Sequence, residues 1–188
     1  QHNDFFFFIA FRVYQIRIFK EMIQEENIFF TGFGLDASQN KIREKAKQHN
    51  VKVFLPVDVV VADDFSNDAD RQEVDIYHIP EGWQGMDAGS KTREINHDVL
   101  MNSRTILWNG PVGVFEMSNF AGGTKALGDS IYEATKLGAF SLVGGGDSVA
   151  FVKQNGYADK VSYVSTGGGA MLESLEGLEL PGVAAINK

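Results

Sequence analysis

The chain has 188 residues and a net charge of −8, from 17 basic and 25 acidic side chains, a balance that argues against a general nucleic-acid or anionic-membrane partner. With no cysteine it can form neither disulfides nor thiolate metal sites, and its 44% hydrophobic and 22% charged content is that of a globular protein with a real core. The longest apolar run, FFFFIAF at 5–11, falls far short of the ~20 residues a membrane-crossing helix needs, and the four histidines show no HExxH spacing.

Residues 1–34 stand apart. Nine of the 15 phenylalanines lie there, and the only glycines are Gly32 and Gly34. DFFFFIAFRVYQIRIF reads as strand from its aromatic and β-branched content. We read 1–34 as an edge strand with a helix and 35–188 as an α/β domain. Because the chain starts at Gln1, it is expected to be a processed product or a piece of something longer.

Ser38 is a fitting N-cap for a helix over 39–49, with Asn50 as its stop. VKVFLPVDVVVA then predicts two short strands, or one bent at Pro56. Residues 63–89 are polar and rich in turn residues, including Pro80, Gly82, Gly85 and Gly89, and predict an excursion holding at most a small strand. Ser90 is placed to cap a helix over 91–102.

The remainder repeats one unit of apolar run, glycine turn and helix: RTILWNGPVG, FSLVGGGDS and VSYVSTGGGA. Between the first and second lies a helix over 119–137. Its apolar side, at Phe120, Thr124, Leu127, Ile131 and Ala134, is spaced 4, 3, 4, 3, and Gly138 stops it. The helices after the second and third turns end at Gly156 and Gly177. Strands alternating with helices predict a three-layer, Rossmann-like parallel sheet flanked by helices. Right-handed crossovers then put every strand's carboxyl end on one edge.

A glycine turn that opens a helix presents backbone N–H groups without partners, at the positive end of the helix dipole. Such a turn takes an anion, usually phosphate. Two triplets, Gly144–Gly146 and Gly167–Gly169, with Asn109-Gly110-Pro111 on the same edge, suit an oligophosphate. Asp147 would repel bare phosphate, but fits if Mg²⁺ stands between, and Ser148 could add a hydroxyl. The plainer alternatives are a linker turn for a single triplet and an ordinary N-cap for Asp147. No P-loop is present, and GGGDSV shares only two glycines with the dinucleotide fingerprint, so a dinucleotide oxidoreductase is a weak rival.

LWNGPVGVFE (107–116), GTKAL (123–127), VGGGDSVA (143–150), KVSYVSTGGGAMLESLEG (160–177) and LPGVAAI (180–186) resemble the carboxyl-terminal, nucleotide-binding half of phosphoglycerate kinase. LPVDVVVADDF and IPEGWQGMDAGS fit the same pattern, and the resemblance runs from about Leu35 to Ile186. It implies a cytoplasmic glycolytic enzyme that moves a phosphoryl group between 1,3-bisphosphoglycerate and ADP with Mg²⁺. The partner half, which would bind 3-phosphoglycerate, is missing here.

Carried over by motif, Gly144, Gly145, Gly146, Asp147 and Ser148 would cradle the ADP or ATP phosphates, with Asp147 on the metal. Asn109 would meet the phosphate chain and Glu116 the ribose hydroxyls. Pro111 and Val114 would line the nucleoside, and Gly85 would wall the adenine. Ser165, Thr166, Gly167 and Gly168 would face the phosphoryl in flight. For Pro111, Val114 and Gly85 packing is the alternative, and for Glu116 a helix-start carboxylate. Trp108 and Phe115 read as core. The family's lysine-bearing turn has no counterpart, and Lys125, Lys153 and Lys160 are not placed by motif at the phosphates. The chain alone is therefore expected to bind Mg-nucleotide without turnover. A non-catalytic nucleotide-binding or interaction module derived from that fold is the alternative.

Overall fold

The computed structural model describes residues 5–8, 54–168, 170 and 179–186. The helix expected over 39–49, the aromatic segment beyond Phe8, Gly169 and Gly177 lie outside the described residues. In chain order the elements are β1 (Phe5–Phe8), β2 (Asp58–Ala62), β3 (Arg71–Asp75), β4 (Gln84–Ala88), α1 (Ser90–Met101), β5 (Thr105–Asn109), α2 (Gly122–Lys136), β6 (Phe140–Gly144), α3 (Gly146–Gln154), β7 (Tyr163–Val164) and α4 (Pro181–Ile186). Single 3-10 turns cover Ser118–Phe120 and Ala158–Lys160. The fold is α/β, and the chain condenses into two compact units.

One unit comprises Gln1–Ala10, Met101–Gly110 and Ile131–Lys188. Its sheet is wholly parallel, in the order β1-β5-β6-β7. Ile106, Leu107 and Trp108 of β5 are buried, as expected of a parallel strand covered on both faces. The ring of Trp108 tilts against Phe151 of α3 at 5.7 Å, and Phe151 stacks on Tyr157 at 5.6 Å. The indole N–H of Trp108 donates to the Gly110 carbonyl at 2.8 Å, so this fully buried ring leaves no polar atom unsatisfied. Because the strands run parallel, Asn109, Gly144 and Val164 end at one rim: Asn109 pairs with Gly144 and Val143 with Val164.

The helical spacing read from the sequence is met by burial. Phe120, Thr124, Leu127, Ile131 and Ala134 are all at most 2% exposed. Gly138, at φ +102°, ends α2 where the sequence placed a stop.

The second unit comprises Phe11–Leu100 and Pro111–Ser130. It carries an antiparallel sheet in the order β3-β2-β4, with a register shift against β4 between Val60 and Val61. Val59 and Val61 pack with Ile79 in one cluster, flanked by Val74 and Trp83. Ala62, Met86, Val114 and Phe120 form another. The region read as an irregular excursion thus supplies two strands. β3, RQEVD, is exposed apart from the half-buried Val74, so it lacks an apolar alternation. β4, QGMDA, contains two residue types that strands disfavour. Pairing to β2, not local preference, makes both of them strands.

Ser90 does not cap α1; its hydroxyl donates to Glu73 at 2.5 Å. The cap comes from β2, 33 residues earlier. One carboxylate oxygen of Asp58 accepts from the Lys91 N–H and the other from the Thr92 N–H, each at 2.8 Å. The Thr92 hydroxyl adds a third bond at 2.6 Å. A Cβ on Gly89 would overlap this carboxylate, so the turn before α1 has to be glycine. Burial works to raise the Asp58 pKa, but the Thr92 hydroxyl and the Thr92 and Lys91 amides together outweigh it and hold the group below its usual value. A lowered folded pKa gives stability that is present above the ordinary carboxylate pKa and lost as pH falls through the folded one. Asp58→Ala should therefore lower unfolding free energy by about 1–3 kcal/mol at neutral pH. Urea titration should show that deficit shrinking below pH 4.

Candidate functional site

The residues singled out from the sequence fall into two sets, one in each unit. The first set gathers at the rim of the parallel sheet. β6 ends at Gly144, and Gly145 turns the chain into α3 at φ +81°, where a side chain would be strained. A Cβ there would also overlap the Asn109 amide oxygen at the end of β5. Ser148, in the first turn of α3, is wholly buried, and its Oγ accepts from the Gly110 N–H at 2.6 Å. Its side chain therefore fastens the β5 turn to the β6 turn.

The third turn closes on the second. Ser165 is buried, and its N–H donates to the Val143 carbonyl at 2.8 Å. The Gly167 N–H donates to the Ser165 hydroxyl at 3.3 Å. Gly168 lies so close to the β6 turn that a Cβ would overlap the backbone nitrogen of Gly145. The two glycine turns are thus in direct backbone contact. Gly146 and Gly167 differ from these. Both are exposed, neither has positive φ, and a Cβ on either would meet nothing within 4 Å. Among the described residues, nothing requires glycine at these two positions.

Asp147 stands exposed in the first turn of α3, with Gly145 rather than Asp147 as the N-cap residue. Its charge there complements the helix dipole. Among the described residues no group of three His, Asp or Glu side chains is placed to hold a metal ion. Any metal here would need ligands from the bound molecule beside this one carboxylate. Lys153 is exposed on α3, and Lys160 lies over the Tyr157 and Tyr132 rings at 4.8 and 5.4 Å.

The second set lies on β4 and on the segment 111–124. Gly85 is buried in β4, and the Val114 N–H donates to the carbonyl of the next residue, Met86, at 2.9 Å. Pro111 is buried, Glu116 is exposed, and Val114 is a core residue at 2% exposure.

The residue that sequence reasoning missed is Asp87, 1% exposed in β4. One of its oxygens accepts from the Gly123 N–H at 2.6 Å and from Arg93 at 3.1 Å. The other accepts from the Ala88 N–H at 2.9 Å. Burial pushes this carboxyl up to about 6, against the pull of the Gly123 amide and the Arg93 charge. The signal was a lone acidic residue between apolar neighbours in QGMDAG.

The chain matches the family model described as "Phosphoglycerate kinase" over residues 5–178, a span that takes in β1. It is 56% identical over 152 residues to a phosphoglycerate kinase of Porphyromonas gingivalis, covering 81% of this chain and 36% of that protein. A phosphoglycerate kinase of Chloroflexus aurantiacus is 53% identical over 146 residues, covering 78% and 36% respectively. The chain thus spans about a third of the length of these curated relatives. Among solved structures, phosphoglycerate kinase from Coxiella burnetii superposes with a TM-score of 0.77 at 34% identity, covering 93% of this chain and 44% of that one.

Three outcomes follow, two from the packing and one from the charge. Gly168→Ala should lower unfolding free energy by about 1–3 kcal/mol, because backbone must give way. Gly146→Ala should leave it unchanged or raise it by up to about 1 kcal/mol. Separately, a folded pKa raised from 3.8 to about 6 means the native state binds the extra proton first. The stability contributed by protonated Asp87 is thus present at pH 4 and lost as pH rises to 6. Asp87→Asn should flatten that part of a stability-versus-pH curve measured by urea unfolding.

Proposed function

The chain belongs to the phosphoglycerate kinase family, and on that premise we propose that it carries the nucleotide-binding part of the kinase. The rim formed by Asn109, Gly144–Ser148 and Ser165–Gly168 receives the phosphates of ADP or ATP with Mg²⁺. The observation that carries this reading is the contact between the two glycine turns, together with Gly146 and Gly167 beside it. These two glycines leave out a side chain for which the described residues leave room. A glycine that the chain does not need for its own packing makes sense where a ligand approaches the backbone.

The donor set fits magnesium carried in by the nucleotide. Mg²⁺ usually takes one or two carboxylates and completes its shell with phosphate oxygens and water, and Asp147 is such a carboxylate. When bound, the metal would neutralise charge on the phosphate oxygens. The backbone of 165–168 would hold the transferring phosphoryl group by preorganised N–H donors. In the second unit, family motif assigns Glu116 to the ribose hydroxyls, Pro111 and Val114 to the nucleoside and Gly85 to the adenine. Val114 takes part through its backbone, since its side chain is core.

The parent reaction is phosphoryl transfer between 1,3-bisphosphoglycerate and ADP, in a cytoplasmic glycolytic setting. The chain alone does not complete it. It spans 36% of its relatives' length, and among the described residues Lys160 lies over two tyrosine rings. A single missing cation can cost ~10³ to 10⁵ in rate. Isothermal titration of the chain with ADP should show Mg²⁺-dependent binding, at least tenfold weaker in Asp147→Ala. NAD should not bind, and a coupled assay should detect no 3-phosphoglycerate-dependent ATP consumption. ADP affinity that ignores both magnesium and Asp147 would overturn the phosphate-rim reading.

A further inference from the structure

A buried carboxylate is an expensive way to hold a protein together: replacing a buried ion pair with apolar side chains is often neutral or stabilising. In the second unit several positions accommodate one. The Asp87 oxygens reach the Gly123 N–H, the Ala88 N–H and Arg93. Cβ atoms on Gly113 and Gly123 would both overlap the Asp87 carboxylate, so both ends of the intervening stretch must be glycine while Asp87 is present. Arg93 is fixed in turn by a 2.8 Å bond from its Nε to the Ala88 carbonyl, and its guanidinium lies against Gly122. Two further bonds complete the frame. The Val114 N–H donates to Met86 at 2.9 Å, and the Gly113 N–H donates to the Thr124 hydroxyl at 3.1 Å.

The stretch held this way, 113–123, carries Val114 and Glu116, begins two residues after Pro111, and is fastened to the strand that carries Gly85. These are the four residues assigned to the nucleoside. Asp87 itself sits too deep to touch a ligand. We propose that Asp87 is the positioning residue of the nucleoside-binding loop, clamping 113–123 onto β4 through its carboxylate so that Pro111 and Glu116 meet the nucleoside in one fixed arrangement. This inference rests on the nucleotide reading above.

The test separates the nucleoside from the phosphates. Calorimetric titration of the full chain compares Mg-ADP with Mg-pyrophosphate, in wild type, Asp87→Asn and Gly123→Ala. Gly123→Ala keeps the carboxylate and its arginine but forces the loop away. Both variants are expected to bind Mg-ADP at least tenfold more weakly while Mg-pyrophosphate stays within twofold. Unchanged ADP affinity, or equal weakening of both ligands in a variant with native circular dichroism, would overturn the positioning role. If Asp87→Asn does not fold, Gly123→Ala decides alone. If wild type binds neither ligand, it is the nucleotide reading that fails. Amide exchange then decides the clamp: exchange over 113–123 should accelerate at least tenfold in Gly123→Ala relative to β2, and equal exchange would sink it.

Discussion

Within the parallel-sheet unit two stretches of main chain come into direct contact. Gly168 presses on Gly145, with no room for a single carbon between them. Everything at the rim depends on that proximity. Parallel strands end at the same level, so their turns crowd together, and crowded turns bring backbone N–H groups into one place. Side chains from neighbouring elements serve as fasteners: Ser148 reaches the Gly110 turn, and the Asn109 amide fills the space over Gly145. The result is a surface made chiefly of peptide groups, which suits a ligand whose oxygens need many donors and little shape discrimination.

The antiparallel unit solves a different problem with two buried aspartates. Asp58 and Asp87 lie on paired strands of one small sheet, and each reaches across to a distant segment. Their environments drive them apart. Asp58 sits among amide and hydroxyl donors at the start of a helix, which favours its charge. Asp87 is sealed more deeply, and burial wins despite an arginine. One tightens as the solution leaves acid; the other is more comfortable there. Together they join β2 to α1 and β4 to the 111–124 segment, so the sheet acts as a frame for both.

Much of this was legible in the residues. The alternation of apolar run, glycine turn and helix gave the parallel sheet, because a strand buried on both faces has to read as an apolar run. The face of α2 was legible for the same reason: its spacing is the period of the helix. The glycine turns announced the rim, since three glycines in succession serve poorly in any regular element. What escaped detection was set by distance along the chain. The cap of α1 lies 33 residues away on a strand, so Ser90, the local candidate, read as the cap instead. β3 and β4 were hidden because their exposed and polar residues become strands only by pairing with β2. Asp87 looked like any turn-region acid until burial placed it against Gly123.

Each unit also holds one of the chain's two tryptophans. Trp108 is entirely enclosed, its indole nitrogen satisfied by a carbonyl at the end of its own strand. Trp83 is only partly covered, against the Val59, Val61 and Ile79 cluster. A ring shut away from water emits at shorter wavelength than one that water reaches. The protein therefore carries a built-in pair of fluorescent reporters of different colour, one for each half, through which the melting of the two halves can be followed separately in a single sample.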